Sequence, residues 1–283
     1  MNEQGLKERL KYIAKQQNRT FQDVWKTLVL ERFLVRISRS AFASDFVFKG
    51  GLLLSHYINI GRETKDVDFL VRMLQAERSK FQSAFETICN VDVQDGFEFS
   101  FAEIVDLEQP HMNYPGYRVT LDVRFSGMKD RIHVDIGVGD AVDPNTESLE
   151  LYQYKNKPIF EGTVTLQVYP VETIFAEKLE TCISKGAANS RMKDFHDLFL
   201  LCSEQGLLSV SKLRQDIKKT FQTRGTGVEL PINFLPDELP SMQRLWSAHV
   251  RGLGPVAKAL GIPERFDDIL KKINEWLDQS KVI

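Results

Sequence analysis

The sequence is poor in cysteine, nearly balanced in charge and free of long apolar runs. Its three cysteines, Cys89, Cys182 and Cys202, are too few and too far apart in 283 residues for a disulfide framework or a zinc cluster. No apolar run approaches the roughly 20 residues of a membrane span, and the first residues lack a signal-peptide pattern. We therefore expect a protein without a membrane segment, located in the reducing cytoplasm.

Charge is distributed unevenly, although the formal net charge is only −2. Residues 1–49 contain ten lysines and arginines against five acidic residues, including Arg32, Arg36 and Arg39 on a predicted helix. Such a basic arm is able to contact phosphates. A solvated helix face is the alternative, and the sequence does not separate the two.

The apolar pattern predicts an α+β fold. Helical spacing over residues 3–17 and 20–40 is followed by a strand-rich segment over about 91–168, and most of the chain from Val171 onward again has helical spacing. The prediction is one mixed-sheet core with N-terminal helices and a helical C-terminal region. Its parts are a helical arm over 1–40, an α/β core over 41–169 and the helical C-terminal region over 170–283.

Asp66 and Asp68 are the most informative residues of the core. They lie two residues apart at the start of an apolar run, Val67–Val71, that predicts a buried strand. Alternate residues of a strand point to the same face, so both carboxylates are able to face one ligand. Paired oxygen anions suit a hard divalent cation such as Mg²⁺ or Mn²⁺. The pair therefore predicts a metal site.

Residues upstream of this pair predict contacts with phosphate. Gly50 and Gly51 separate a predicted strand from a predicted helix, where backbone N–H groups are able to approach an anion. A simple turn is the alternative for an isolated Gly-Gly pair. Arg62 and Thr64 just precede Asp66, and we expect them to hold phosphate oxygens or to orient the acids.

A third carboxylate is expected from a second strand. In Ile132–Val138, Asp135 alternates with apolar residues and is a candidate to face the same metal as the first pair. Three acids from two strands fit two-metal phosphoryl chemistry, in which one cation activates a hydroxyl and the other stabilises the leaving pyrophosphate. Asp122 and Asp140 are competing candidates that periodicity alone does not eliminate.

Lys178 falls within the apolar stripe of a predicted helix that begins at Val171. A lysine on the core-facing side needs a counter-charge, which a triphosphate or the acid cluster would supply. A lysine that reaches solvent from the edge of the stripe is the alternative.

Two acids and two histidines complete the set of polar candidates. Asp194 and Asp197 lie in the first turns of a later predicted helix, where the helix dipole alone already favours acids. His133 and His196 lack the spacing of a metal pair, and we predict that they are structural.

Five segments of the chain occur in an order and spacing typical of one family. They are Phe48-Lys-Gly-Gly-Leu52, Arg62-x-Thr-x-Asp-x-Asp68, Val134-Asp-Ile136, Glu172-x5-Lys178-Leu179 and Arg191-x-Lys-Asp-x-x-Asp197. Together they resemble the motif series of the AbiEii-type nucleotidyltransferase toxins, which belong to the DNA-polymerase-β-like superfamily. One departure is Gly51, where many superfamily members have a serine whose hydroxyl would touch a phosphate.

The resemblance implies a minimal nucleotidyltransferase fold with added helices. By position it also implies these roles: metal ligands Asp66, Asp68 and Asp135, a triphosphate-binding Lys178, and a late catalytic or orienting acid, Asp194, supported by Asp197.

The resemblance further implies the toxin half of a bacterial toxin–antitoxin or phage-defence pair. Such an enzyme would use Mg²⁺ to transfer a nucleotide from a nucleoside triphosphate to a hydroxyl, with tRNA as the preferred acceptor and a cognate antitoxin as a partner. Three alternatives stay open: protein nucleotidylation similar to AMPylation, a sugar-nucleotide glycosyltransferase, which also uses Asp-x-Asp to hold a metal, and a non-catalytic nucleotide-binding protein.

Overall fold

The structure is a computed structural model, and it describes residues 1–72, 77–107, 116–139 and 142–282. The chain divides into two compact units. The first consists of Met1–His56 and Glu63–Tyr169, and the second of Tyr57–Arg62 and Pro170–Ile283. Asp140, one of the competing candidates for the third acid, lies outside the described residues.

The first unit contains four helices and nine strands in its described part, with α3 ending one residue beyond it. In chain order they are α1 (Glu3–Gln17), α2 (Phe21–Arg39), β1 (Phe46–Lys49), α3 (Gly50–Tyr57), β2 (Asp66–Val71), α4 (Arg78–Cys89), β3 (Phe97–Leu107), β4 (Gly116–Phe125), β5 (Met128–Val138), β6 (Asn145–Glu150), β7 (Gln153–Tyr154), β8 (Lys157–Pro158) and β9 (Thr163–Val168).

A seven-stranded mixed sheet forms the centre of this unit, in the order β3-β4-β5-β2-β1-β9-β6. Phe69 in β2 and its register partner Ile136 in β5 are fully buried on one face of the sheet. The rings of Phe33 in α2 and Phe85 in α4 stack at 6.1 Å within the same core. Because strand side chains alternate, the opposite face receives the polar residues of β2 and β5.

Arg32 and Arg36 form neither a phosphate-binding arm nor a solvated helix face, so both interpretations of the basic N-terminal segment are wrong for them. Both side chains are almost fully buried. Arg36 donates two hydrogen bonds to the carboxylate of Asp95, at 2.8 and 2.9 Å, and Arg32 Nε donates a third at 2.7 Å. These arginines lie on the side of α2 that packs inward, where Asp95 pairs with both of them and Glu161 also pairs with Arg32. Arg39 is about half exposed and pairs with Glu161.

The second unit contains six α-helices in its described part. They are α5 (Val171–Lys185), α6 (Met192–Ser203), α7 (Val210–Arg224), α8 (Leu239–Leu253), α9 (Pro255–Ala259) and α10 (Phe266–Ser280). Helix α5 packs against α6 and α7, and α10 packs against α6 and α8. The core includes an edge-to-face pair of Phe195 and Phe266, with ring centroids 5.1 Å apart. No helix in the described part of the chain has the length and apolar character of a membrane span.

The structure confirms the predicted α+β class and most element positions. Thr20 caps α2, since its hydroxyl oxygen accepts a hydrogen bond from the backbone N–H of Asp23 at 3.1 Å. The helix predicted after the Gly-Gly pair includes this pair, since α3 begins at Gly50 and ends at Tyr57. The three-part domain division stays a prediction.

Candidate active site

Asp68 and Asp135 lie side by side on neighbouring strands of the first unit. Strands β2 and β5 are parallel, and their register pairs Asp68 with Asp135 and Asp66 with His133. Register partners point to the same face of a sheet, so the three carboxylates share one face. All three residues are partly exposed, and the Asp66 side chain retains 43% of its accessible surface. A ligand in solution is therefore able to reach them.

Asp135 is held by an arginine that the sequence patterns do not single out. Arg118 of β4 is the register partner of Asp135. Its Nε and Nη2 donate to the two carboxylate oxygens at 2.7 and 2.8 Å, and Nη2 also lies 4.0 Å from Asp66 Oδ2. The hydrogen bonds to Asp135 and the nearby acidic charges raise the pKa of Arg118. The acid cluster therefore contains a permanent positive charge.

Asp122, the competing third acid, lies farther along the same pair of strands. Its register partner is Arg131, whose Nε donates to the Asp122 carboxylate at 2.8 Å. The register partner of Asp66 is His133, and Arg131 lies two residues before it on β5. The register therefore makes Asp135, and not Asp122, the neighbour of Asp68.

Gly50 approaches Asp68 so closely that no side chain fits between them. Its φ is +81°, and a Cβ atom placed there would lie 2.0 Å from Asp68 Oδ2. The preceding residue, Lys49, is the register partner of Asp68, and its Nζ lies 4.5 Å from the centre of the Tyr169 ring. Gly50 and Gly51 begin α3 directly after β1, so the predicted strand and helix are confirmed, and the two glycines belong to the helix itself. Their phosphate contact stays a prediction.

Thr64 and Arg62 have different surroundings in the structure. The Thr64 hydroxyl is buried and has no hydrogen-bond partner in the part of the chain that the structure describes. Arg62 belongs to the second unit, where its Nε and Nη2 bind the two oxygens of Asp197 at 3.2 and 2.7 Å. Arg62 was predicted to hold phosphate oxygens or to orient Asp66 and Asp68. In the structure it holds a different acid, Asp197.

A buried ion cluster surrounds Lys178 in the second unit. Lys178 Nζ lies 2.6 Å from Asp197 Oδ2 and 3.1 Å from Asp194 Oδ1, and its side chain is only 12% exposed. Burial alone would lower the pKa of Lys178, but the two carboxylates outweigh burial and raise it. Lys178 thus faces the core, as predicted, and has its counter-charges within its own unit. Its role in triphosphate binding stays a prediction.

The same cluster controls the ionisation of Asp197. Burial alone would raise the pKa of this carboxyl, but Lys178 and Arg62 lower it to about 2.

The neighbouring His196 is fully buried, with Nε2 at 2.9 Å from the carbonyl oxygen of Ile60 and Nδ1 at 2.9 Å from His249 Nε2. Burial lowers the pKa of His196 to about 4. A neutral ring bonded through both nitrogens is what we predicted for a structural histidine.

The acids of the first unit fit a divalent cation whose coordination shell is completed by a nucleotide. Among the described residues, no three His, Cys, Asp or Glu side chains are gathered so as to enclose a metal ion. Mg²⁺ in nucleotide-dependent enzymes usually binds one or two carboxylates, and substrate phosphates and water complete its shell. Asp66 and Asp68 supply such a pair, and Gly50 leaves the space beside Asp68 free of a Cβ atom.

A strand with Asp-x-Asp, the Asp135 carboxylate on the neighbouring strand and a Gly-Gly pair at the start of a helix fit the class of nucleotidyltransferases. A family model described as "Nucleotidyl transferase AbiEii toxin, Type IV TA system" matches residues 32–272, and the chain belongs to this family. It is therefore a nucleotidyltransferase toxin of a type IV toxin–antitoxin system, with a nucleoside triphosphate as substrate and an antitoxin as partner. The family decides against the glycosyltransferase and the non-catalytic alternatives.

The fold of this chain is similar to that of a solved structure, MenT4. MenT4, the nucleotidyltransferase toxin Rv2826c from Mycobacterium tuberculosis H37Rv, is 18% identical with a TM-score of 0.56, over 97% of this chain and 90% of that chain. JHP933 from Helicobacter pylori is 15% identical with a TM-score of 0.47, over 92% of each chain. No curated protein matches the chain significantly in sequence.

Proposed function

We propose that the protein transfers a nucleotide from a nucleoside triphosphate to the 3′ acceptor end of tRNA, with Mg²⁺ or Mn²⁺ held by Asp66 and Asp68 and with Asp135 as the third acid. The observation that supports this most is the parallel register that sets Asp68 beside Asp135. A divalent cation supplies charge stabilisation to the phosphates and lowers the pKa of the attacking hydroxyl.

The proposed reaction is a substitution at the α-phosphorus. The acceptor oxygen forms a bond to the α-phosphorus, the bond from this phosphorus to the pyrophosphate breaks, and the hydroxyl proton passes to solvent. We assign the backbone N–H groups of Gly50 and Gly51 and the buried Thr64 hydroxyl to contacts with phosphate oxygens. From the family resemblance we propose that Lys178 binds the triphosphate and that Asp194, supported by Asp197, is the late catalytic or orienting acid.

Helix α7 is our candidate for contacts with the phosphates of the acceptor. Its sequence contains five basic residues and one acidic residue, Asp216. Lys212, Arg214, Lys218 and Lys219 are exposed. An exposed cationic helix attracts a polyanion such as RNA. This surface replaces the buried Arg32 and Arg36 of the predicted arm.

Incorporation of each of four labelled nucleoside triphosphates into total bacterial tRNA tests the proposal. We expect label on tRNA for at least one nucleotide, loss of that label when EDTA removes divalent cations, and loss again for Asp68→Ala. A matched control is tRNA whose 3′ end has been oxidised with periodate, which removes the acceptor hydroxyls. Label that persists on oxidised tRNA would contradict transfer to the 3′ end.

The same assay identifies a different acceptor. If the label appears on protein and not on tRNA, the tRNA proposal is wrong and the reaction is protein nucleotidylation. Because family membership already makes the chain a nucleotidyltransferase, this outcome changes the acceptor and leaves the enzyme class intact.

A further inference from the structure

Four charged residues form one row across four neighbouring strands of the first unit. The registers of β1 with β2, β2 with β5 and β5 with β4 align Lys49, Asp68, Asp135 and Arg118 in this order. Two acids thus occupy the centre of the row and one cation stands at each end. Because register partners share a face, all four residues belong to the face that carries the proposed metal site.

Arg118 is bound directly to one of the acids of this row. It binds both oxygens of Asp135 at 2.7 and 2.8 Å, in the two-pronged geometry that only an arginine offers a carboxylate. It also lies 4.0 Å from Asp66. The side chain is 36% exposed, so the pair is open to solvent and to ions.

A guanidinium at this place has two opposite effects on a divalent cation. It holds the Asp135 carboxylate in one orientation, which favours a preformed site. It also contributes a positive charge beside acids that would bind the cation, and like charges at a few ångströms repel each other in a partly shielded environment. The bidentate bond further engages both oxygens of Asp135.

We propose that Arg118 is a resident counter-cation of this acid cluster, so that it positions Asp135 and weakens the binding of a free divalent cation to Asp66 and Asp68. Strong binding of the cation then requires additional negative charge, which a triphosphate brings with it. This inference rests on the proposed metal site. It assigns to Arg118 a positioning role and not a step of the reaction.

The sign of a change in metal affinity separates this role from a merely structural one. If Arg118 only supported the fold, its replacement would lower the affinity for a cation or leave it unchanged. If Arg118 competes with the cation, removal of its charge raises the affinity. Arg131 provides a matched control because it forms the same cross-strand arginine–aspartate pair with Asp122 on the same two strands.

The test is the affinity for Mn²⁺ in the absence of nucleotide. It is measured by electron paramagnetic resonance, in which bound Mn²⁺ no longer contributes to the signal of the free ion. We expect Arg118→Gln, which keeps a hydrogen-bond donor for Asp135, to bind Mn²⁺ about ten-fold more tightly than wild type. Arg118→Lys retains the charge, so its affinity stays near that of wild type, as does that of Arg131→Gln. Circular dichroism shows whether Arg118→Gln folds. If it does not, Arg118→Met replaces it, because this substitution removes the same charge.

Asp68→Asn separates failure of the inference from failure of the metal site. If Asp68→Asn binds Mn²⁺ as well as wild type, the ion binds elsewhere and the proposed metal site is wrong. If Asp68→Asn loses binding while a folded Arg118→Gln or Arg118→Met binds no more tightly than wild type, the metal site stands and the competition by Arg118 is refuted.

Discussion

Asp68 and Asp135 are 67 positions apart in the chain and are direct register partners on parallel strands. This pairing brings a carboxylate from each of two sequence motifs to the same face of the sheet. Asp66 joins them because it lies two residues from Asp68 on the same strand. The proposed reaction centre is therefore a property of strand register, and changes that disturb this register or crowd the acids will disturb catalysis.

Replacement of Gly50 by alanine tests the close approach to Asp68. The added Cβ would lie 2.0 Å from Asp68 Oδ2, so the carboxylate has to move. We expect transfer activity to fall at least about ten-fold, since a displacement near 1 Å of a reacting group is costly. Gly225→Ala is the control, because Gly225 also has a positive φ but has no atom within 4 Å of its Cβ position.

Gly225→Ala should lose roughly 1 kcal/mol of unfolding free energy from backbone strain, and Gly50→Ala should lose more because its Cβ also displaces Asp68. Chemical denaturation measures this loss, and the labelling assay measures transfer. Equal activity of the two variants would show that the contact between Gly50 and Asp68 has no part in catalysis.

Charge reversal on α7 tests the proposed RNA surface. Lys212→Glu combined with Lys218→Glu should weaken tRNA binding about ten-fold or more at low salt and should reduce the salt dependence of the affinity, because each lost phosphate contact removes about 0.9 from the slope of log K against log salt. Filter binding at several salt concentrations gives both values.

The control for this prediction is the double variant Lys271→Glu and Lys272→Glu on α10, a helix with four acidic and two basic residues. We expect it to bind tRNA like wild type. If the α10 variant weakens binding as much as the α7 variant, the effect comes from total charge and not from a surface on α7.

The buried cluster around Lys178 should make a large contribution to the free energy of unfolding. Lys178→Met leaves Asp194 and Asp197 in the core with less compensating charge, and we expect a loss of about 3 kcal/mol in unfolding free energy. Lys271 pairs with Glu275 on the exposed surface of α10, so Lys271→Met should change stability by less than about 0.5 kcal/mol.

A double-mutant cycle with Asp197→Asn checks the physical reason for this loss. If the charges are coupled, the double variant loses less stability than the sum of the two single variants. Additive losses would show that Lys178 stabilises the unit by packing alone.

His196 should make stability fall on mild acidification. Burial lowers its pKa from the ordinary 6.5 to about 4, so the unfolded chain takes up a proton at a higher pH than the folded chain does. The stabilising contribution is complete above about pH 6.5 and is lost as the pH falls towards 4. A shift of this size corresponds to about 3 kcal/mol at most.

Urea denaturation between pH 7 and pH 4 measures this effect, with His196→Gln as the comparison. We expect the variant to be less stable at pH 7 and to have the weaker pH dependence. An identical pH dependence in both proteins would assign the acid sensitivity to other groups.

The sequence was sufficient to predict the motifs that lie within single elements. The spacing of Asp66 and Asp68 predicts a shared face without knowledge of any partner strand, and the helical stripe places Lys178 correctly towards the core. Partners across strands were not predictable, because alternation gives the face of a residue but not its register. Arg118, which lies beside Asp135, was missed for this reason.

The same limit explains the error about the basic arm. Arg32 and Arg36 are spaced by four residues on α2 among apolar neighbours such as Leu28 and Phe33, and this is the signal that could have indicated burial. Their partner, Asp95, lies about 60 positions later in the chain, in a segment without a recognisable motif. A buried ion pair between distant segments leaves no local pattern in either of them.

Pyrophosphate release with tRNA and the preferred nucleotide, compared among wild type, Asp68→Asn and Asp122→Asn, tests the central claim most directly. Both variants replace a carboxylate by an amide of nearly equal shape, and Asp122 lies on the same two-strand ladder that holds Asp135. We predict that Asp68→Asn loses about 10³-fold or more in rate, as expected for loss of a metal ligand at the reacting phosphate, while Asp122→Asn stays within about threefold of wild type. A folded Asp68→Asn that releases pyrophosphate at the wild-type rate would contradict the assignment of this acid cluster as the reaction centre.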